Sequence, residues 1–362
     1  MEKQPETQAD TGIGQTEQME QTAPKERKPR RRKKSLIRRL LSGFGWGLIV
    51  VFALLLTGFV YQWFGEQSDR AAYTVPGQLV QVGGHRMHVY KEEKTDRAPA
   101  EPAVVLISGW GTANPYADFS PVYEGLRGQA EFAVVERFGY GYSDVTDEKR
   151  DIDEIAEELH EALAQADVRP PFVLAAHSLG SLEAIRYTQL YPDDVAGLLM
   201  IDTGSPEFYQ TFRSGALRSD LNRIAIKSGI VRALYHVNGF AGYLSGQRNG
   251  LKLLTPEMRE QDRLATLLVA CNTNVTEEMR RMHANANKIV AQKKQLDAPM
   301  IVLAADWFGE ATEERMDSLR EFGSTWSTDA KLEVVQDSAH SIQAYQPQKI
   351  VEAALELTGS AR

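Results

Sequence analysis

Ser178 stands in a sequence pattern that suits a nucleophile. It follows the apolar run 172–176 and lies in a small-x-Ser-x-Gly turn that ends at Gly180. A serine on a sharp turn between a strand and a helix projects its hydroxyl away from the sheet, and small neighbours let the strand and the helix approach closely. Ala176 occupies the position where glycine is commonest. The pattern therefore predicts a reactive serine that works by covalent catalysis.

The segments around Ser178 indicate a sheet covered by helices. Residues 78–90 form two alternating runs around Gly83-Gly84, which predicts a β-hairpin. Short apolar runs separated by helical patterns follow at 104–107, 132–135, 172–175, 195–201, 300–304 and 332–335. Strands that alternate with helices favour an α/β fold with a mostly parallel, doubly wound sheet. Between residues 203 and 298 the sequence is mostly helical in pattern, so we expect an inserted helical cap there.

Three motifs resemble those of the α/β-hydrolases. They are the serine turn at 176–180, the Ser-Gly-Trp-Gly loop at 108–111, and the run Glu-Arg-Phe-Gly-Tyr-Gly-Tyr-Ser-Asp at 136–144, which is similar to that family's D-x-x-G-x-G-x-S segment. They occur in the order that the family has. The resemblance covers nearly all of residues 77–362 apart from the helical insertion. It implies an α/β-hydrolase fold with a serine nucleophile.

The resemblance also implies a histidine after the last strand as general base. His340 occupies that place, ahead of Pro347 and a closing helical stretch. The acid that orients the imidazole follows either of two strands in this fold. Asp306 follows the strand after the insertion, where most members carry the acid, and Asp202 follows the strand before it, where some relatives carry it. We favour Asp306, with Asp202 as the alternative and Glu310 as a third candidate.

The oxyanion hole and the substrate pocket are the remaining parts of such a site. The resemblance implies that the backbone N–H groups of Trp110 and Leu179 form the oxyanion hole, because two preorganised donors must meet the tetrahedral oxygen. Trp307 and Phe308, next to the favoured acid, are candidates for the wall of the pocket. The acyl-enzyme mechanism requires no metal and no organic cofactor, so we expect none.

An apolar segment precedes the hydrolase-like region. Residues 40–65 are 26 positions without a charge, enough to cross a hydrocarbon core of about 30 Å as a helix. Residues 25–39 carry ten Lys or Arg and one acid. Because positive charge beside a span stays in the cytoplasm, we expect a single-pass protein of the cell membrane with a cytoplasmic N-terminus and an extracytoplasmic catalytic domain. A cleaved signal peptide is the rival interpretation, and Ala71-Ala72 keeps it open.

The distribution of charge argues against nucleic acid as a partner. The chain has a net charge of −8 although its first 40 residues are basic, so the region beyond the apolar segment is acidic. A nucleic-acid-binding surface needs the opposite sign. We expect a small ester or amide substrate instead. The single cysteine, Cys271, excludes an intrachain disulfide.

These patterns divide the chain into segments. We expect a disordered, basic cytoplasmic tail at 1–39, a transmembrane helix at 40–65, a linker at 66–76, hydrolase core at 77–202, a cap at 203–298 and further hydrolase core at 299–362. The predicted function is serine hydrolysis of a small ester or amide. The alternatives are a non-catalytic binding or signalling protein on the same scaffold and a membrane-tethered interaction protein. Reaction of Ser178 with an active-serine probe separates the first function from the other two.

Overall fold

The computed structural model describes residues 31–359. The chain consists of two compact units, with the boundary between Ala53 and Leu54. The tail predicted to be disordered spans residues 1–39, and its first 30 residues lie outside the described part of the chain. From Arg31 onwards the chain is helical. Residues 31–39 of the predicted disordered tail are thus part of a helix in the structure, and Lys and Arg are good helix formers.

Helix α1 is the N-terminal element and runs Arg31–Ala72. Its part Ile37–Ala72 is long and apolar enough to cross a membrane, and none of its apolar window is buried. The helix is longer than the predicted span. The first residues of the predicted linker at 66–76, Glu66 to Ala72, complete the helix. The helix ends at Ala72, shortly before Pro76. Helical backbone is disfavoured at Val75, because this residue precedes a proline.

One eight-stranded sheet forms the frame of the second unit. Its strands are β1 (Gln78–Val82), β2 (His85–Glu92), β3 (Ala103–Ile107), β4 (Phe132–Glu136), β5 (Phe172–His177), β6 (Val195–Ile201), β7 (Met300–Ala305) and β8 (Ala330–Val335). They lie in the order β1-β2-β4-β3-β5-β6-β7-β8. β2 pairs antiparallel with β1 and β4, and the remaining pairings are parallel. The predicted hairpin and strands are confirmed.

Helices connect the strands and cover the sheet. After α1 they are α2 (Pro115–Asp118), α3 (Ser120–Leu126), α4 (Ile152–Gln165), α5 (Gly180–Leu190), α6 (Pro206–Thr211), α7 (Ala216–Lys227), α8 (Ile230–Leu234), α9 (Phe240–Leu244), α10 (Pro256–Leu268), α11 (Thr273–Ala291), α12 (Glu313–Trp326) and α13 (Pro347–Leu357). Helices α6 to α11 lie between β6 and β7, and we refer to them as the helical insertion. The sequence predicted helices in this stretch.

The central strands are apolar at nearly every position because both faces of the sheet are covered. One face packs against α4, α5 and α12 through residues such as Leu159, Leu182 and Phe322. The other packs against α3 and α13 through Val122 and Ile350. Strands buried on both faces lose the alternation of polar and apolar residues. This doubly wound arrangement holds the carboxyl ends of β5, β6 and β7 side by side at one edge, where the candidate site lies.

Candidate active site

The turn between β5 and α5 presents Ser178. Its backbone has φ +52°, in the left-handed region that non-glycine residues rarely adopt. Such strain persists only where the surroundings hold it, and here the Ser178 N–H donates to the Ile201 carbonyl at 3.0 Å. A Cβ at Gly180 would lie 2.7 Å from the Ser108 carbonyl oxygen, so only glycine lets the helix begin this close to β3. The turn therefore has the strained, crowded geometry that the sequence pattern predicted.

A continuous chain of hydrogen bonds joins Ser178, His340 and Asp202. His340 Nε2 lies 3.0 Å from Ser178 Oγ, and His340 Nδ1 lies 2.8 Å from Asp202 Oδ2. Ser178 and Asp202 follow the neighbouring parallel strands β5 and β6, and His340 comes from the loop after β8. The structure thus brings together a hydroxyl, an imidazole and a carboxylate in the geometry of a serine nucleophile with its base and orienting acid.

Among the described residues Asp202 bonds to His340, and neither the favoured acid Asp306 nor Glu310 does, so the structure places the alternative candidate against the imidazole. Asp306 Oδ1 instead accepts the backbone N–H groups of Phe308 at 3.0 Å and Ser338 at 3.1 Å. Its carboxylate therefore holds the turn after β7 against the start of the loop that carries His340. Asp202 is closer to the nucleophile because β6, rather than β7, is the strand next to β5.

The Asp202 carboxylate is buried, and both of its oxygens accept hydrogen bonds. Its Oδ1 accepts the Ala305 backbone N–H at 2.8 Å and the Arg315 guanidinium at 2.5 Å. Burial opposes ionisation, but the hydrogen bond from His340 and the charge of Arg315 outweigh it, so the pKa of Asp202 is below its usual range. Asp202 is therefore ionised at neutral pH. Sequence reasoning missed Arg315, because it comes from α12 and no local motif marks it.

His177 supports the loop that carries His340. Its Nε2 donates to the His340 carbonyl oxygen at 2.9 Å, and its Nδ1 is buried without a hydrogen-bond partner among the described residues. Burial and the neighbouring His340 lower the pKa of His177 to about 4. The ring is therefore neutral at pH 7, with its proton on the nitrogen that faces the carbonyl.

The loop after β3 packs directly against the serine turn. A Cβ at Gly109 would lie 2.9 Å from His177 Nδ1 and 3.0 Å from Ser178 Cβ, so the close approach requires glycine. The next residue, Trp110, anchors its indole by donating Nε1–H to the Val275 carbonyl at 2.7 Å. Leu179 is the N-cap residue of α5. The predicted oxyanion donors, Trp110 and Leu179, thus belong to the two segments that meet at the serine.

Arg137 ties this loop to the helices around it. Its guanidinium donates to the Ser108 carbonyl at 2.9 Å and lies 2.9 Å from Glu183 and 3.2 Å from Glu278. All three charged side chains are buried. Burial raises the pKa of Glu183 to about 7 in spite of the arginine beside it. Arg137 lies in the run 136–144 and connects α5, α11 and the loop at 108–111.

A cavity of about 820 Å³ opens above Ser178 and His340. Trp110 lines it on the side of the sheet, and the helical insertion contributes both apolar side chains, such as Leu251, and charged ones, such as Arg259. Other lining residues from the insertion are Tyr235, Leu244, Arg248, Glu260, Asp262 and Arg263. The site therefore has room for a small molecule next to the serine hydroxyl.

Trp307 and Phe308, predicted as pocket residues, lie outside this lining within the described part of the chain. The Trp307 ring stacks at 6.2 Å from the His340 ring. Phe308 is 59% exposed and contacts Tyr345. Their predicted role in binding the substrate stays a prediction. The residues that line the cavity come mainly from the helical insertion and from the loop after β3.

Comparison with known proteins yields a family and a set of distant relatives. The model of the family described as "Alpha/beta hydrolase family" matches residues 104–353. The uncharacterized protein YbdG of Bacillus subtilis is 25% identical over 323 residues, which are 86% of this chain and 95% of that protein. The crystal structure of Cfl2 from Burkholderia cenocepacia superposes with a TM-score of 0.60 at 18% identity, over 77% of this chain and 94% of Cfl2.

A thermophilic esterase from Thermogutta terrifontis is also similar, with a TM-score of 0.53 at 18% identity, over 77% of this chain and 96% of the esterase. At such identities the likeness to solved structures concerns the fold alone. The α/β-hydrolase fold predicted from the sequence is confirmed.

Proposed function

Because this chain belongs to the alpha/beta hydrolase family, we propose that it is a membrane-anchored serine hydrolase that cleaves a small ester or amide through an acyl-enzyme. The observation that carries the proposal is the hydrogen-bonded chain from Ser178 through His340 to Asp202 beside an open cavity. A buried, ionised carboxylate on one imidazole nitrogen leaves the other nitrogen free to accept the proton of the serine hydroxyl.

The first half-reaction forms the acyl-enzyme. His340 Nε2 takes the proton of Ser178 Oγ while Oγ attacks the carbonyl carbon of the substrate. Asp202 holds the Nδ1–H and stabilises the imidazolium. The backbone N–H groups of Trp110 and Leu179 donate to the oxygen that becomes negative. Collapse of the tetrahedral intermediate breaks the bond to the alcohol or amine, which leaves with the proton from His340 Nε2.

The second half-reaction releases the acid. His340 Nε2 takes a proton from a water molecule, which attacks the acyl carbon, and the bond to Ser178 Oγ breaks as the proton returns to it. We propose that the helical insertion acts as a cap in both steps. It lines the cavity with Tyr235, Leu244 and Leu251, and a cavity of about 820 Å³ has the size that suits a small molecule.

The proposed location is the cell membrane, with the N-terminus in the cytoplasm and the catalytic unit outside. Helix α1 supplies an apolar segment of sufficient length, and the ten Lys or Arg at 25–39 favour this orientation. Protease added to intact cells should then digest the full-length protein after residue 72 without cell lysis. Digestion that occurs only after lysis would indicate the opposite orientation. Release of the catalytic domain into the medium before protease is added would indicate a cleaved signal peptide.

The proposal is tested by labelling the full-length protein in detergent with a fluorophosphonate probe, with hydrolysis of p-nitrophenyl acetate and butyrate measured in parallel. We expect labelling of the wild type, none of Ser178→Ala and very little of His340→Ala. Ser324→Ala, which changes an exposed serine on α12, is the matched control and should label normally. A folded wild type that neither reacts nor hydrolyses any ester would favour a binding protein on the same scaffold.

A further inference from the structure

We propose that the helical insertion is itself a membrane-contacting element, and that an apolar surface on α7 and α8 lies in the lipid bilayer beside α1. This surface, the apolar insertion face, consists of large apolar side chains of α7, α8 and the turn after α8 that are between 48% and 72% exposed: Leu217, Leu221, Ile224, Ile230 and Val237. An exposed apolar surface of this kind needs a partner, because water solvates it poorly.

The face is an ordered stripe that leads to α1. Leu217, Leu221 and Ile224 are spaced i, i+4 and i+7, so they share one side of α7. Ser228, the C-cap residue of α7, continues the stripe one turn further. A Cβ at Gly58 of α1 would run into the Ser228 carbonyl, and a Cβ at Gly229 would run into the Gly58 carbonyl. The α7–α8 turn and α1 are therefore in backbone contact, which the two glycines permit.

The position of this contact along α1 indicates how deep in the membrane the α7–α8 turn lies. From Leu54 to Phe64 the helix exposes apolar side chains on its outer side, and its next charge is Glu66. Gly58 precedes Glu66 by eight residues, or about 12 Å along the axis. Tyr61 and Trp63 lie between them, and Tyr and Trp side chains collect at the membrane interface. The α7–α8 turn therefore reaches past this aromatic level toward the apolar part of α1.

Polar contacts fix the insertion at this depth. Arg232 of α8 donates to the Gln62 side chain at 2.8 Å and lies 2.6 Å from Asp69. Lys227 of α7 lies 2.8 Å from Glu66. Glu66 and Asp69 occupy the last turns of α1, on the charged side of the aromatic level, and Gln62 lies at the aromatic level itself. The insertion cannot shift along α1 without separating Arg232, which is buried, from its partners.

The bilayer is the occupant that these observations favour over a second copy or another protein. A helix that crosses a membrane is surrounded by lipid where its apolar side chains point outward, and the insertion face begins at that same level. Lipid around Leu54 to Phe64 then also reaches Ile230 and the stripe on α7. The inference needs neither hydrolase activity nor a particular orientation of the protein, since it depends only on α1 lying in the membrane.

The test measures the depth of single fluorescent labels in the full-length protein in phosphatidylcholine nanodiscs. Cys271→Ser removes the single native cysteine, and an environment-sensitive dye is then attached through Leu221→Cys or Ile224→Cys. Val60→Cys on α1 is the positive control. Asp193→Cys is the aqueous control, because it is exposed and precedes the amino end of β6, whereas the insertion leaves that strand at its carboxyl end.

We expect dye at 221 and 224 to be quenched by doxyl-labelled lipid at least threefold more strongly than dye at 193, and to be shielded from iodide. Quenching at 221 and 224 that equals that at 193, with lipid quenching at 60 retained, overturns the proposal. Absence of lipid quenching at 60 also overturns it, because α1 would then lie outside the membrane. Loss of esterase activity plays no part in the outcome, so this test and the test of the proposed serine hydrolase activity fail independently.

Discussion

Replacing either candidate acid by asparagine gives opposite expectations for Asp202 and Asp306. Asp202→Asn should lower kcat for p-nitrophenyl butyrate by 10³-fold to 10⁴-fold, on the order of 4 to 5.5 kcal/mol in activation free energy. Asp306→Asn should change kcat by less than about tenfold, because it removes a charge without touching His340. The two substitutions are chemically identical, so each is the control for the other.

The magnitude for Asp202 follows from its hydrogen bonds. Oδ1 accepts from Ala305 N–H and from Arg315, and both donors require an oxygen at that position. In Asp202→Asn the amide oxygen therefore stays on that side, and the amide NH₂ faces His340 Nδ1. The imidazole must then accept at Nδ1 and carry its proton on Nε2, the nitrogen 3.0 Å from Ser178 Oγ. A protonated Nε2 cannot take the proton of the serine. An equivalent substitution in a serine protease triad costs about 10⁴-fold.

Asp306→Asn keeps its main structural contacts. The side-chain oxygen can still accept the N–H groups of Phe308 and Ser338, so the loop before His340 should hold its place. The assay is steady-state hydrolysis combined with the rate of fluorophosphonate labelling, with circular dichroism as the check on folding. The reasoning is refuted if a folded Asp202→Asn retains more than a tenth of the wild-type kcat, or if Asp306→Asn loses as much activity as Asp202→Asn.

Two further expectations concern the residues around the serine. Gly180→Ala should lower kcat about tenfold or more while the fold persists, because its methyl group meets the Ser108 carbonyl and displaces the loop that carries Trp110; Ser181→Ala is the neighbouring control, and equal kcat in both variants would contradict the expectation. His177 is neutral in the folded state down to a pKa of about 4, whereas an unfolded histidine takes up its proton near pH 6.5. Its contribution to stability is therefore present above pH 6.5 and is lost as the pH falls toward 4, and the loss at pH 4.5 is about 2.5 kcal/mol. Glu183, with its raised pKa of about 7, acts in the opposite direction over the same range, so chemical unfolding of His177→Gln must be compared with the wild type at pH 7.5 and 4.5; a difference that is the same at both pH values would contradict the assignment.

The sequence alone determined the features that depend on local pattern. Apolar runs bounded by turn residues located β3 to β7, since a strand buried on both faces leaves an uninterrupted apolar segment, and a shorter apolar run located β8. The alternating runs around Gly83-Gly84 located the hairpin of β1 and β2. The small-x-Ser-x-Gly turn located Ser178, because crowding between a strand and a helix excludes larger side chains. The loop histidine, His340, was readable from its place after the last strand, and the apolar length of α1 from composition. The catalytic roles of Ser178 and His340, and of Trp110 and Leu179, stay predictions.

Only the tertiary structure decided what depends on which segments lie side by side. Asp202 and Asp306 both follow strands, and the sheet order, which puts β6 next to β5, selects Asp202. Arg315 reaches Asp202 from a helix more than a hundred residues further along the chain. The insertion, rather than Trp307 and Phe308, lines the cavity because α8 to α10 fold back over the serine. Residues 66–72 are helical rather than a linker, and their charges pair with Lys227 and Arg232 of the insertion. Contacts between segments distant in sequence leave no periodic pattern in either segment, which is why local patterns could not predict them.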